Sequence, residues 1–418
     1  MPSGTVIANW GAAIFLWLGL ILTPIVAHAG GLGFQIIAFT LGCSGLLLTI
    51  IDRDWSSYFR KAWLPIFIGF LSWAWITSLW SPYEKAEHLG HGLMLFVFGV
   101  ILIFLPTIFD RLREGPKRLI AHLFMAGSVL AIGLMLIDIL SGFGLSILVD
   151  PVDAGSNIYV RQGDAEQNLG RGIMSYSQLI WPAIILILVH FKQGWVLTIG
   201  LILVLAVTAI LNRLSLCIPV LCVSAAFVAL AATRPRLGII SAFLVAISTL
   251  LFAPIIGVWA SSVDEATLSS IPLSWEHRVR MWAFVWERIQ ESWLIGNGFD
   301  VSRTLQDTFL SRDGRDITIV SLHPHNIGLQ LWLETGLIGV LLAAGFLMAL
   351  INPVLVFCET KPRAAAMSGL IVATALNGAL TIGIWQYWWW GLIALSAGLV
   401  SLIPVSYTHL TLPTICSV

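Results

Sequence analysis

The chain has 418 residues, of which 58% are hydrophobic and only 11% charged. That balance lies outside the water-soluble globular range and inside the polytopic membrane class. Its 22 basic and 22 acidic residues cancel, so nothing points to a nucleic-acid partner or to a polybasic lipid-binding tail.

A bilayer-spanning helix needs about 20 mostly apolar residues. In chain order, runs of that kind lie near 10–27, 31–51, 63–80, 89–109, 119–141, 173–191, 195–211, 216–232, 237–257, 326–350, 364–382 and 385–403. The expectation is an all-α polytopic membrane protein, with 1–403 as one transmembrane domain of 12 spans. The first run ends in Ala27-His28-Ala29, which mimics a signal-peptide cleavage site. Residues 1–9 hold no Lys or Arg to form an n-region, so the run reads as a span.

Loop charge sets the expected orientation. With a cytoplasmic N-terminus, the inner loops hold 12 Lys/Arg and the short outer loops only Lys85, Arg161, Arg171 and Arg213. The long stretch 258–325 exceeds the length over which this rule is counted. Both termini are therefore expected in the cytoplasm and 258–325 outside. The cysteines, Cys43, Cys217, Cys222, Cys358 and Cys416, form no C-x-x-C pair and read as small apolar packing residues.

Two external segments stand out. Residues 142–172 read as a loop carrying Asp150, Asp153, Asp164, Glu166, Arg161 and Arg171. The second is 258–325, where Val279, Trp282, Trp286, Ile289 and Trp293 recur at helical spacing between Trp275 and Trp293. That stripe predicts an amphipathic helix lying along the membrane surface with its tryptophans at headgroup level. It ends at Gly296-Asn297-Gly298, and 300–322 is a polar excursion with no clear element. The uncharged tail 404–418 has no helical period and is expected to be non-native sequence.

Candidate chemistry gathers at the outer mouths of the spans. His325 sits where the external loop meets the tenth run, with Asn326 beside it. Histidine is the side chain most easily poised as a base near neutral pH, although His-Pro-His also serves as a plain polar helix start. Arg278, four residues before Trp282, offers a planar fork that suits a diphosphate and equally suits a lipid-phosphate anchor. Arg213 lies in a very short link at the membrane edge, where unpaired charge is costly and a partner is expected. Arg171 is a case of the same kind, with an interfacial anchor as its alternative. Asp138, near the outer end of the fifth run, is placed to pair with one of these arginines. Lys85, Glu87, His88 and His91 read as a solvated face. No Asp-x-Asp occurs in an external loop, and there is no His-Glu-x-x-His and no phosphate-binding Gly-rich loop, so the expected chemistry uses no metal or other cofactor.

Taken together, Arg278-x-x-x-Trp282, Gly296-x-Gly298 and His325-Asn326-x9-Gly336-x-x-Gly339, with Glu334 inside the last, resemble the O-antigen ligase and O-antigen polymerase family of bacterial membrane glycosyltransferases. The resemblance implies a GT-C-like fold in the inner membrane. It also implies transfer of a glycan from undecaprenyl diphosphate, at the periplasmic face, to an acceptor such as lipid A core. His325 would act on the acceptor hydroxyl; Arg278, Arg213 and Arg171 would grip the diphosphate; Asn326, Asp138 and Glu334 would support them. The chain departs from the ligase pattern Arg-x-x-x-Leu at Cys217. A polymerase or a protein oligosaccharyltransferase shares this donor, and a transporter or flippase is the alternative from another class.

Overall fold

A computed structural model describes residues 26–405 apart from 60, 84, 150–157 and 313. Most of the expected first span, Asp150, Asp153 and residues 406–418 lie outside the described residues, as do the side chains of Lys85, Glu87 and His88.

The first half is a run of apolar helices: α1 (Phe34–Asp52), α2 (Trp63–Ile76), α3 (Lys85–Leu102), the short α4 (Leu105–Asp110) and α5 (Glu114–Leu140). There follow α6 (Gly144–Val149), α7 (Ile158–His190), α8 (Gly194–Leu211), α9 (Cys217–Thr233) and α10 (Pro235–Leu251), with α11 (Ala253–Ser261) continuing α10 after a 48° bend. Among the described residues seven helices are long and apolar enough to cross a membrane, eight if the bent pair is one span, and three shorter apolar helices accompany them. Helix α7 begins well before the run read at 173–191. The polar stretch around Arg161, Asp164 and Glu166 is helical, so the segment read as a loop at 142–172 is largely α6 and the first turns of α7. Window hydropathy does not register a polar helix; backbone hydrogen bonding does.

The external stretch contains α12 (Glu265–Ser270) and α13 (Leu273–Glu291), a 3-10 turn (Val301–Thr304), and an antiparallel pair, β1 (Thr308–Leu310) and β2 (Asp316–Thr318), with Phe309 opposite Ile317. The polar excursion thus adds a small hairpin to the helices. The chain closes with α14 (Ile327–Phe357), α15 (Lys361–Leu380) and α16 (Tyr387–Val400).

Helix α15 packs against α7, α9 and α10; α14 packs against α2 and α10; α16 packs on α1. With so few charges, the helices are joined by close packing and buried polar pairs rather than by ion pairs. Asn377 donates to Ser177 Oγ at 2.7 Å and Thr374 to Gln178 Oε1 at 2.8 Å, tying α15 to α7. Long-range contacts place the starts of α1, α3, α7, α14 and α16 at one end of the bundle with the ends of α2, α5, α8, α10 and α15. Examples are Trp332 Nε1 to the Leu250 carbonyl, Trp80 Nε1 to that of Gly296, and Tyr387 to that of His91. Every candidate residue lies toward that end.

Helix α13 differs from the expected headgroup helix. Its apolar side packs on α11 and α14, and Trp282 is only 3% exposed, its Nε1 donating to the Pro324 carbonyl at 3.0 Å. Trp293, beyond the helix end, is exposed. Val279, Trp282, Val285 and Ile289 are buried in this seam, while Trp275 and Trp286 stay half-exposed, so part of the amphipathic stripe is a packing seam against protein. The opposite side holds the hairpin. Buried Glu276 pairs with Arg280 at 3.0 Å and Arg312 at 2.7 Å, and His277 Nε2 lies 3.0 Å from the Ile319 carbonyl.

Candidate active site

Helix α14 is broken ten residues after its cap, and the break organises the site. Gly336 has φ 63 and ψ −168, a conformation essentially reserved for glycine. Backbone groups freed there must find partners, because unsatisfied polar groups in an apolar bundle are costly. Residues 293–298 supply them. The amide N–H groups of Asn297 and Gly298 donate to the Leu333 and Glu334 carbonyls at 2.8 and 3.1 Å, and Leu337 donates to the Trp293 carbonyl at 2.9 Å. Trp73 Nε1 donates to the Thr335 carbonyl at 2.9 Å. A methyl group on Gly336 would sit 2.5 Å from the Gly296 nitrogen. The two glycine motifs, forty residues apart, are therefore two halves of one backbone interlock.

Glu334, one turn into the interlock, is fully buried. Its carboxylate accepts from the Asp300 amide at 2.8 Å, from Ser302 Oγ at 2.6 Å, from Gln330 Nε2 at 3.2 Å and from Trp385 Nε1. Asp300 is held with φ 61, a left-handed conformation uncommon for a non-glycine residue. Its buried carboxylate faces His91 Nδ1 at 3.1 Å and Arg303 Nε at 3.0 Å. His91 is thus half-buried against the Asp300 carboxylate and packs edge-on to Phe299, which corrects the solvated-face reading for it.

Asn326 caps α14, its side chain accepting from the Leu329 amide at 2.9 Å. His325 precedes it in a left-handed conformation, φ 50. Its Nδ1 lies 2.8 Å from the Thr381 carbonyl at the end of α15, and a carbonyl can only accept. Nδ1 therefore carries the proton, and Nε2 keeps its lone pair. The neighbouring ring of His323, 4.5 Å away, is committed differently. Its Nδ1 accepts from the His325 amide at 3.2 Å, so its Nε2 bears hydrogen and meets the Gln386 side-chain amide at 3.0 Å, which must present its oxygen. Burial pushes the His323 imidazole down to about 3, with His325 and Arg303 adding to the effect. Burial also lowers His325, against the Thr381 bond, and the charges of Arg278 and His277 lower it further. Both rings are neutral at pH 7, and one of them has a free basic nitrogen.

The structure brings some expected residues together and leaves others apart. Arg278 acts on His325 from α13. One guanidinium nitrogen donates to the Ser274 carbonyl at 3.1 Å, its plane lies 5.8 Å from the Trp275 ring, and its buried Nε has no partner among the described residues. Burial lowers its affinity for a proton, a desolvation that an anion would relieve. Arg213 is exposed after α8 with φ 59, and no described contact joins it to the histidines. Arg171 lies within α7 and donates to Asn168 Oδ1. Asp138 pairs with no arginine: it faces His28 Nε2 at 2.9 Å and accepts from the Leu145 and Ser146 amides at 2.8 and 3.1 Å. A carboxylate at the start of α6 finds free N–H groups closer than any guanidinium, which corrects the expected pairing. Asp300, His323, Gln330 and Gln386 were not singled out from sequence, and His91 and Arg303 were read only as solvated charge. A weak signal existed for two of them: Asp300 follows Gly298 by two residues, and His323 opens His-Pro-His.

Comparison with known proteins narrows the class. Residues 173–344 match the family described as O-antigen ligase. That region is therefore similar to the O-antigen ligase family over about two fifths of the chain. It contains Arg213, Arg278, the Gly296–Gly336 interlock and His325, whereas Asp138 and Arg171 lie before it. A "Putative polysaccharide ligase" of Rickettsia conorii is 26% identical over 341 residues, 79% of this chain and 78% of its own length. Similarly named proteins of Rickettsia felis and Rickettsia bellii are 26% identical over 77% of this chain and 75% of their own lengths. No solved structure matches.

Proposed function

We propose that this chain transfers a glycan from undecaprenyl diphosphate to an acceptor hydroxyl at the periplasmic face of the bacterial inner membrane, with a sugar of lipid A core as acceptor. The ligase-family match and the relatives' names support glycan transfer in a membrane, and the charge bias of the loops supports the orientation. One observation carries the residue assignment: among the two neutral imidazoles, only His325 has an unshared ring nitrogen facing away from a fixed partner.

The chemistry balances with these groups. His325 Nε2 takes the proton of the acceptor hydroxyl while that oxygen forms a bond to the anomeric carbon, and the bond from that carbon to the diphosphate oxygen breaks. Thr381 fixes the ring's tautomer. Charge gathering on the departing diphosphate is met by Arg278, a fixed donor in a poorly solvated setting. Asn326 and Glu334 act through backbone: one sets the start of α14, the other locks the loop against it. Among the described residues no three His, Cys, Asp or Glu side chains are grouped to hold a metal, and no step of the proposal runs through one.

The test is transfer by purified protein in lipid nanodiscs, supplied with undecaprenyl-diphosphate glycan and, in parallel, lipid A core, a second lipid-linked repeat and a protein acceptor. Glycosylated lipid A core with release of undecaprenyl diphosphate is expected. His325→Ala should slow it by roughly 10²–10⁴-fold, the usual worth of a positioned base. Extension of the lipid-linked repeat would make the enzyme a polymerase. A glycan–lipid bond left intact with every acceptor would return the transporter reading and end this one.

A further inference from the structure

Arg303 occupies an unusual position for a surface arginine. Its Nε is 3.0 Å from Asp300 Oδ1, and that carboxylate is itself 3% exposed and held by His91 on its other oxygen. The Asp300 backbone is pinned in turn by Glu334. The guanidinium is 36% exposed, and among the described residues no partner meets its two terminal nitrogens. A path of contacts leads from it toward the histidines. Asp300 touches His91, the His91 ring lies 5.5 Å from that of Tyr387, and the adjacent Gln386 bonds His323. Arg303 and Arg278 each act electrostatically on one of the paired rings, Arg303 on His323 and Arg278 on His325, from different elements, one on the 3-10 turn and the other on α13.

We propose that Arg303, held in an ion pair with the buried Asp300 carboxylate, binds a phosphate of the lipid diphosphate with its terminal nitrogens, as a second arginine beside the histidines. The inference rests on the transferase reading and adds a residue to it. A guanidinium held in such a pair loses little side-chain freedom on binding and keeps its terminal donors for an oxyanion. Two such forks beside the imidazoles match a diphosphate, which has two phosphates to hold, better than a monophosphate. They also divide the work: Arg278, the more buried, meets the leaving oxygen, and Arg303 orients the outer phosphate.

Equilibrium binding of undecaprenyl diphosphate and of undecaprenyl phosphate, both without glycan, to the full-length protein in nanodiscs tests this. Wild type should prefer the diphosphate. Arg303→Ala should weaken diphosphate binding by roughly 10- to 100-fold, the worth of charge-assisted bonds to phosphate, with a far smaller change for the monophosphate. Arg303→Lys, which keeps charge but not the fork, should recover only part of the affinity. Arg303→Lys keeps a charge near Asp300 and should melt close to wild type, whereas Arg303→Ala leaves that buried carboxylate with His91 alone and should melt lower, so the two ligands are compared within each folded variant. Wild-type affinity of Arg303→Ala for the diphosphate, while Arg278→Ala loses it, would overturn this inference and leave the transferase reading standing. Failure of wild type to prefer the diphosphate would take both down.

Discussion

Two groups of polar and charged residues lie at the same end of the bundle and differ in how far along the chain most of their partners lie. In the corner formed by α5, α6 and α7, Asp138 is satisfied by His28 and two helix-start amides, and Arg171 by Asn168 three residues away. Partners there are local or nearby, and Asp138 is fully satisfied, although Arg171 Nε is buried without a partner among the described residues. Around the break in α14, Glu334 and Asp300 consume their own oxygens on long-range donors, yet the groups they position end in free valences: His325 Nε2, Arg278 Nε and the outer nitrogens of Arg303. Buried polar groups that are fully paired specify structure. Those held in place but left open are what a substrate can use.

The contrast is sharpest in function. Arg278→Ala should reduce transfer by roughly 10²–10³-fold, as removal of one preorganised donor to a developing anion does, whereas Asp138→Asn should leave the rate within a few-fold of wild type. Arg213 and Arg171 are the sharper probes. If either alanine variant lost as much activity as Arg278→Ala, the site would extend across the corner and the division would fail. Next in size is a structural effect. Gly336→Ala forces a left-handed conformation and a contact with Gly296, together costing on the order of 2–4 kcal/mol. The variant should show a lower melting temperature in detergent and reduced transfer, while Gly133→Ala, in α5 with open space at its Cα, should match wild type in both.

The same division explains what could be read without coordinates. Apolar runs located the helices because about 20 residues of hydrocarbon-compatible chain have few other uses. His325, Asn326 and Gly336 stood out because a cap and a breaker carry local signatures. The partners of these residues did not. Asp300 meets His91 across 209 positions, and Gly296 meets the Gly336 break across forty; no periodicity encodes such pairings. The tryptophan stripe on α13 misled for a related reason. Amphipathic spacing reports that one face is buried but not whether lipid or protein buries it, and α11 with α14 covers part of it here. Helix α7 was cut short because its first turns are polar and mostly exposed or half-buried, so no apolar run marks them.

The smallest expected effect is also the one that separates the two histidines. Both have proton affinities below the ordinary value of 6.5, with His323 pushed down to about 3, chiefly by burial. Between about 3 and 6.5 the unfolded chain therefore binds a proton at His323 that the folded chain refuses. Stability from this residue is complete above pH 6.5 and declines as pH falls through that window. Transfer depends instead on His325, whose proton affinity burial lowers below the ordinary 6.5. The midpoint of the rate profile measured in nanodiscs should then lie below 6.5, while the melting temperature begins to drop below 6.5. His323→Gln, which cannot titrate but can still accept from the His325 amide, should flatten the stability decline and leave the midpoint of the rate profile near that of wild type. A rate midpoint at or above 6.5 would mean that His325 is not held neutral by its surroundings, and the free lone pair on Nε2 could no longer be assigned to the base at neutral pH.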